Sequence, residues 1–132
     1  MQENFMINAL LVCASRESFS NLDAVFAEMH VHAMSAESGS QALSLSTQHQ
    51  FDIIIADETL PDMSGLELAK KLIIKNPMLN IALVSALSAD DFHEASEGLG
   101  ILMHLPPSPQ KSDAEKLLEH LNHILFITKK IN

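Results

Sequence analysis

The chain contains a single cysteine, only four glycines, and eight basic residues against seventeen acidic ones. One cysteine, Cys13, excludes an internal disulfide and suits a reducing compartment. The shortage of bases leaves a formal charge of −9, which opposes binding to nucleic acid or to an anionic membrane surface. No uninterrupted apolar run approaches the ~18 residues needed to span a bilayer. The opening Met1-Gln2-Glu3-Asn4 has none of the positive charge of a secretory signal. These absences point to a cytoplasmic protein. No glycine lies between Met1 and Glu37, so Ser15, Ser18 and Ser20 cannot form a glycine-rich phosphate loop.

What is present reads as one domain over residues 1–132, with 47% hydrophobic residues to build a core. Short apolar runs recur at Ala9–Val12, Val31–Met34, Ile53–Ile55, Ile81–Val84 and Ile101–Met103. Each is too short for a helix, and their unbroken apolar character suits parallel strands covered on both faces. Between them lie segments of helical spacing. Phe19, Leu22, Phe26 and Met29 share one face, as do Ala114, Leu117, Leu118, Leu121 and Leu125. Ser38 with Gln41, Ser64 with Glu67 and Ser112 with Glu115 match the capping-box pattern, and Ser88 with Asp91 is a weaker version. Asn76-Pro77 and the pair Gly98 and Gly100 mark helix ends. The pattern is strand then helix, repeated, which predicts a doubly wound α/β domain with a five-stranded parallel sheet.

In such a sheet, chemistry collects beyond the carboxyl ends of the strands. The residues there are Cys13, Ala14 and Ser15, then Asp57 and Glu58, then Ser85 and Ala86, then His104, Leu105 and Pro106. The segment from Phe51 to Leu68, FDIIIADETLPDMSGLEL, sets one acid at a strand end, then a proline turn, then a capped helix. This string closely resembles the receiver domain of two-component response regulators, and the likeness runs through essentially the whole chain. The resemblance implies a flavodoxin-like (αβ)5 architecture. It further implies that Asp57 stands where the family accepts a phosphoryl group from a histidine kinase. Ser85-Ala86 is similar to the family's Ser/Thr-Ala pair, whose hydroxyl contacts that group.

The departures from the family pattern are as telling. Where the family carries two acids that bind Mg²⁺, this chain has Cys13 and Ala14. Where it carries a lysine before proline, this chain has Leu105 before Pro106, and its aromatic switch position is Leu102. The segment from Ser85 to Gly98 is shorter than the family's, so a trimmed fourth helix is expected. Asp57 with a Thr59 carbonyl makes a poor Mg²⁺ site, and a thiol is the wrong ligand for that ion. Mg²⁺ binding is therefore expected to be weak or absent, and no other cofactor or metal is implied. Glu58 is sent to the opposite face by strand alternation and is not counted as a replacement.

Cys13 reads as a small filler at a strand end, the alternative being a thiol activated by a helix dipole. Arg16, the only arginine, is either solvent-facing or a substitute cation beside Asp57. His30 with His32, and His120 with His123, lack further ligands at metal spacing and read as surface groups.

The expected function is a non-enzymatic receiver-type module. It would act by protein–protein contact, with a histidine kinase or another signalling protein as partner and with phosphorylation at Asp57 lost or weak. A homodimer through the fourth helix, fifth strand and fifth helix is expected. Two alternatives stand beside this: a working phosphoacceptor with an altered metal site, and a small ligand binder or enzyme on the same fold.

Overall fold

A computed structural model describes residues 6–131. Five parallel strands form one sheet in the order β2-β1-β3-β4-β5. They are β1 (Asn8–Val12), β2 (His32–Ala36), β3 (Ile53–Ala56), β4 (Ile81–Val84) and β5 (Met103–Leu105). The helices between and after them are α1 (Ser20–Glu28), α2 (Gly39–Gln48), α3 (Gly65–Lys75), α4 (Ala89–Ala95) and α5 (Lys111–Ile131). A short 3-10 turn, Arg16–Phe19, leads into α1. None of the described helices is long and apolar enough to cross a membrane.

Alternation along the strands divides the core in two. Ala9, Leu11 and Cys13, with Ile53, Ile55, Ala82, Val84 and Leu105, pack under α1 and α5. Leu10, Val12, Ile54, Ala56, Ile81 and Leu83 face α2, α3 and Phe92 of α4. Because both faces are covered, β3 and β4 are buried at every residue, which explains runs with no polar alternation. Each large side chain so buried stabilises the fold by about 1.5–3 kcal/mol relative to exposure. The helix starts are local in origin. Ser38, Ser64 and Ser88 each accept a hydrogen bond from the amide three residues on.

Several boundaries differ from the sequence reading. The second and fifth strands begin later than the apolar runs Val31–Met34 and Ile101–Met103 suggested. Apolarity marks packing rather than pairing, and Leu102 is half-buried against the α1/α5 core ahead of β5. Met29 is 56% exposed, because α1 ends at Glu28 and His30 turns into the left-handed region at φ 58°. The fifth helix starts before Ser112, and Asp113 accepts from the Gln110 amide at 2.8 Å in place of the expected Ser112–Glu115 box. The fourth helix, by contrast, is short as expected, and at seven residues is the shortest of the five.

The order of strands reverses between β1 and β3, whose carboxyl ends lie side by side: the Asp57 amide donates to the Val12 carbonyl at 2.9 Å. That switch point is where a doubly wound sheet opens a crevice.

Candidate functional site

Asp57 follows β3 directly and is half-buried. The loop after it folds back on itself. Leu60 N–H donates to the Met63 carbonyl, Thr59 and Ser64 form an isolated antiparallel bridge, and Gly65 N–H donates to the Glu58 carbonyl. Gly65 is required here, since a Cβ at that position would collide with the Asp57 carbonyl oxygen. The loop is also fastened to α2. Both carboxylate oxygens of Asp62 accept from its first amides, Gly39 at 2.8 Å and Ser40 at 2.9 Å. The bonds from Ser40 and Gly39 hold the Asp62 carboxyl below the usual aspartate range. Met63 packs where a Gly39 side chain would otherwise project.

At the end of β1, Cys13 is buried in the α1/α5 core and Ala14 is exposed. Burial, with a smaller effect from the Asp57 charge, pushes the Cys13 thiol up to about 11. The thiol is therefore protonated at neutral pH, which removes the activated-thiol alternative. Leu105 is fully buried in the same core, under α1 and α5. Thr59 sits exposed in the loop.

Arg16 does not pair with Asp57. Its guanidinium donates to the Asp23 carboxylate at 3.2 Å, and its side chain is 64% exposed. An aspartate seven residues away on the helix that follows is the nearer partner. Of the histidines read as paired, His32 contacts the Asn8 side chain at 3.3 Å, and His120 and His123 are exposed on α5. Among the described residues no cluster of three or more His, Cys, Asp or Glu is arranged to hold a metal.

Sequence reasoning missed the role of Glu58. The chain leaves β3 at Ala56, so strand alternation no longer governs where Glu58 points. Its Oε1 accepts from the Ser85 hydroxyl and from the Ala86 amide, both at 3.2 Å. The Ser85 hydroxyl oxygen also accepts from Leu87 N–H at 3.1 Å, and Ser85 N–H donates to the Leu105 carbonyl at 3.0 Å. The remaining group of Ser85, its carbonyl, is 2.9 Å from His104 Nε2. A carbonyl can only accept, so Nε2 carries the proton. The His104 ring stacks on Phe92 of α4, centroids 4.0 Å apart and planes 8° off parallel. Sequence placed Leu102 at the family's aromatic switch position, yet the ring that joins β5 to α4 belongs to His104. The one sequence signal for the Glu58–Ser85 contact was an acid beside Asp57 with a hydroxyl at the end of the next strand.

The donors around Asp57 can be weighed against Mg²⁺, which prefers octahedral oxygen ligands. A protonated, buried thiol and a methyl group stand at the end of β1, and the Glu58 carboxylate is turned to Ser85 and Ala86. The Asp57 Oδ1 accepts from the Glu58 amide at 2.8 Å. This set does not fit a hard dication.

Comparison with known proteins agrees with the architecture. A family model for the response regulator receiver domain matches residues 10–122. The chain is 32% identical over 97 residues to a response regulator receiver protein of Anaeromyxobacter sp. (strain Fw109-5), covering 74% of this chain and 41% of that protein. It is 28% identical over 83 residues to sporulation initiation phosphotransferase F of Bacillus subtilis (strain 168), covering 63% of this chain and 67% of that one. The match thus spans less than half of the first relative's own length. The chemotaxis response regulator CheY4 of Vibrio cholerae superposes with a TM-score of 0.80 at 19% identity, over 89% of this chain and 99% of that chain. An uncharacterized protein from Neptuniibacter caesariensis gives a TM-score of 0.84 at 17% identity, with 96% of both chains covered. At such identities the structural likeness is one of fold.

Proposed function

The chain belongs to the response regulator receiver family, and from that premise we propose that it signals by protein–protein contact, with phosphorylation at Asp57 lost or weak. The observation that carries this reading is the state of the β1 end. Cys13 there is a buried, protonated thiol with its pKa at about 11, and its neighbour Ala14 offers no ligand. Leu105, at the family's lysine position, is fully buried in apolar core.

Phosphoryl transfer to a carboxylate brings two anions together, and catalysis depends on cations placed to neutralise them. Without those cations the transition state loses several kcal/mol of stabilisation, a rate loss of about a thousand-fold or more. On this reading the whole chain, 1–132, is a single receiver-like domain and not itself an enzyme. It works in the cytoplasm with a histidine kinase or another signalling protein, and α4, β5 and α5 form the face for a partner or a second copy. The formal charge of −9 supports a partner other than nucleic acid or anionic membrane.

Intact-mass measurement with a small phosphodonor and millimolar Mg²⁺ tests the reading. The expected result is no Mg²⁺-dependent gain of a phosphoryl group. A ready, Mg²⁺-dependent gain that disappears in Asp57→Ala would favour the second reading, a working phosphoacceptor. That second reading draws on the positions of Asp57 and Ser85 directly after the neighbouring strands β3 and β4.

A further inference from the structure

We propose that the Ser85 hydroxyl and the Ala86 amide form an oxyanion site whose resident ligand is the chain's own carboxylate, Glu58. The inference rests on reading Asp57 and Ser85 as the receiver's site, and concerns which group fills its donors. Two donors from adjacent residues converge on one oxygen, Glu58 Oε1, at 3.2 Å each. One is a hydroxyl and the other a backbone N–H, the kind of pair that holds a carboxylate or phosphoryl oxygen. The Ser85 hydroxyl is aimed by its own neighbours. Its oxygen accepts from Leu87 N–H, which leaves its proton for Glu58.

The site is coupled to α4. The Ser85 carbonyl accepts from His104 Nε2–H, and the His104 ring lies flat on Phe92, which is buried in the α2/α3/α4 core. A side chain one residue from Asp57 is thus linked through Ser85 and His104 to the fourth helix. Asp57 itself makes no such link: its described side-chain bond is to the Glu58 amide. Glu58, and not the charge state of Asp57, holds the β4–α4 loop and the face that α4 presents. The face is then held in one arrangement without a phosphoryl group.

Backbone and side-chain NMR on the full chain tests this, comparing the wild type with Glu58→Ala, Glu58→Gln and Asp57→Asn. Glu58 is exposed, so its replacement leaves the core intact. Glu58→Ala should move the Ala86 and Leu87 amides and the ring signals of His104 and Phe92, and should speed exchange of the Ala86 amide about tenfold. Glu58→Gln keeps an oxygen acceptor and should restore part of the wild-type positions. Asp57→Asn should shift the Glu58 amide and leave Ala86, His104 and Phe92 in place. An Ala86 amide unmoved by Glu58→Ala would overturn the proposal, as would an Asp57→Asn variant that moves α4 as far as Glu58→Ala does. The outcome is separable from the phosphorylation reading: a phosphoryl gain in the mass experiment would sink that reading without touching the Ala86 result.

Discussion

Rebuilding the missing acids, as Cys13→Asp with Ala14→Asp, converts the description of the β1 end into a measurable free energy. Cys13 is 3% exposed and packs against the α1/α5 core. A carboxylate there loses solvation and lies close enough to Asp57 for that charge already to raise the thiol. Ala14 is exposed, so its replacement adds charge at little packing cost. Placing an unpaired carboxylate at the buried position should destabilise the metal-free protein by about 3 kcal/mol. For a domain of this size that is a fall in Tm of about 10 °C.

The same acids supply oxygen ligands of the kind Mg²⁺ prefers, and an ion at a hundred times its Kd returns about 2.7 kcal/mol. Thermal melts in EDTA and in millimolar Mg²⁺ therefore have a defined pattern. The wild type should melt at one temperature in both, whereas the variant should melt low in EDTA and recover most of the loss with Mg²⁺. A wild-type protein stabilised by Mg²⁺ would refute the reasoning about its ligands. A variant no less stable than wild type in EDTA would refute the reasoning about burial.

Other expectations follow from single contacts. Cys13 in the folded protein should resist iodoacetamide at mildly alkaline pH and react readily once unfolded, as read by intact mass. Its thiol is raised from an ordinary 9.0 to about 11, so the linked stability is complete below pH 9 and declines as pH rises toward 11; a chemical-denaturation series flat across that interval would contradict the burial argument. Asp62 is lowered, so its bonds to α2 persist above the ordinary aspartate range and are lost as pH falls through the depressed value. The Gly39 and Ser40 amides should titrate together with a midpoint below an ordinary aspartate's, and a midpoint at the ordinary value would show that the staple is not formed. Gly65→Ala forces a Cβ against the Asp57 carbonyl and should cost about 2 kcal/mol in urea unfolding. A loss within about 0.5 kcal/mol would mean that the loop yields easily.

The architecture and the position of Asp57 are legible in the chain alone, because both depend on local, periodic signals. Ile53-Ile54-Ile55 and Ile81–Val84 announce strands covered on both faces, and three serines announce the starts of α2, α3 and α4 through bonds to their own backbone. The string after Asp57 announces a proline turn and a helix capped by Ser64, whereas the need for glycine at Gly65 follows only from its approach to the Asp57 carbonyl. Contacts between polar side chains were not legible in this way. Arg16 reads in the sequence as either solvent-facing or beside Asp57, and in the structure its partner is Asp23, on the helix just after it. Glu58 escaped the period-two rule once β3 ended at Ala56, and only the tertiary approach of the β4 end shows that its carboxylate meets Ser85 and Ala86. The stacking of His104 on Phe92 likewise joins residues of β5 and α4 that no local pattern pairs. Periodicity constrains which face a residue takes within an element. Beyond the last paired residue, the position of a polar side chain is decided by whichever donors the neighbouring strands bring within reach.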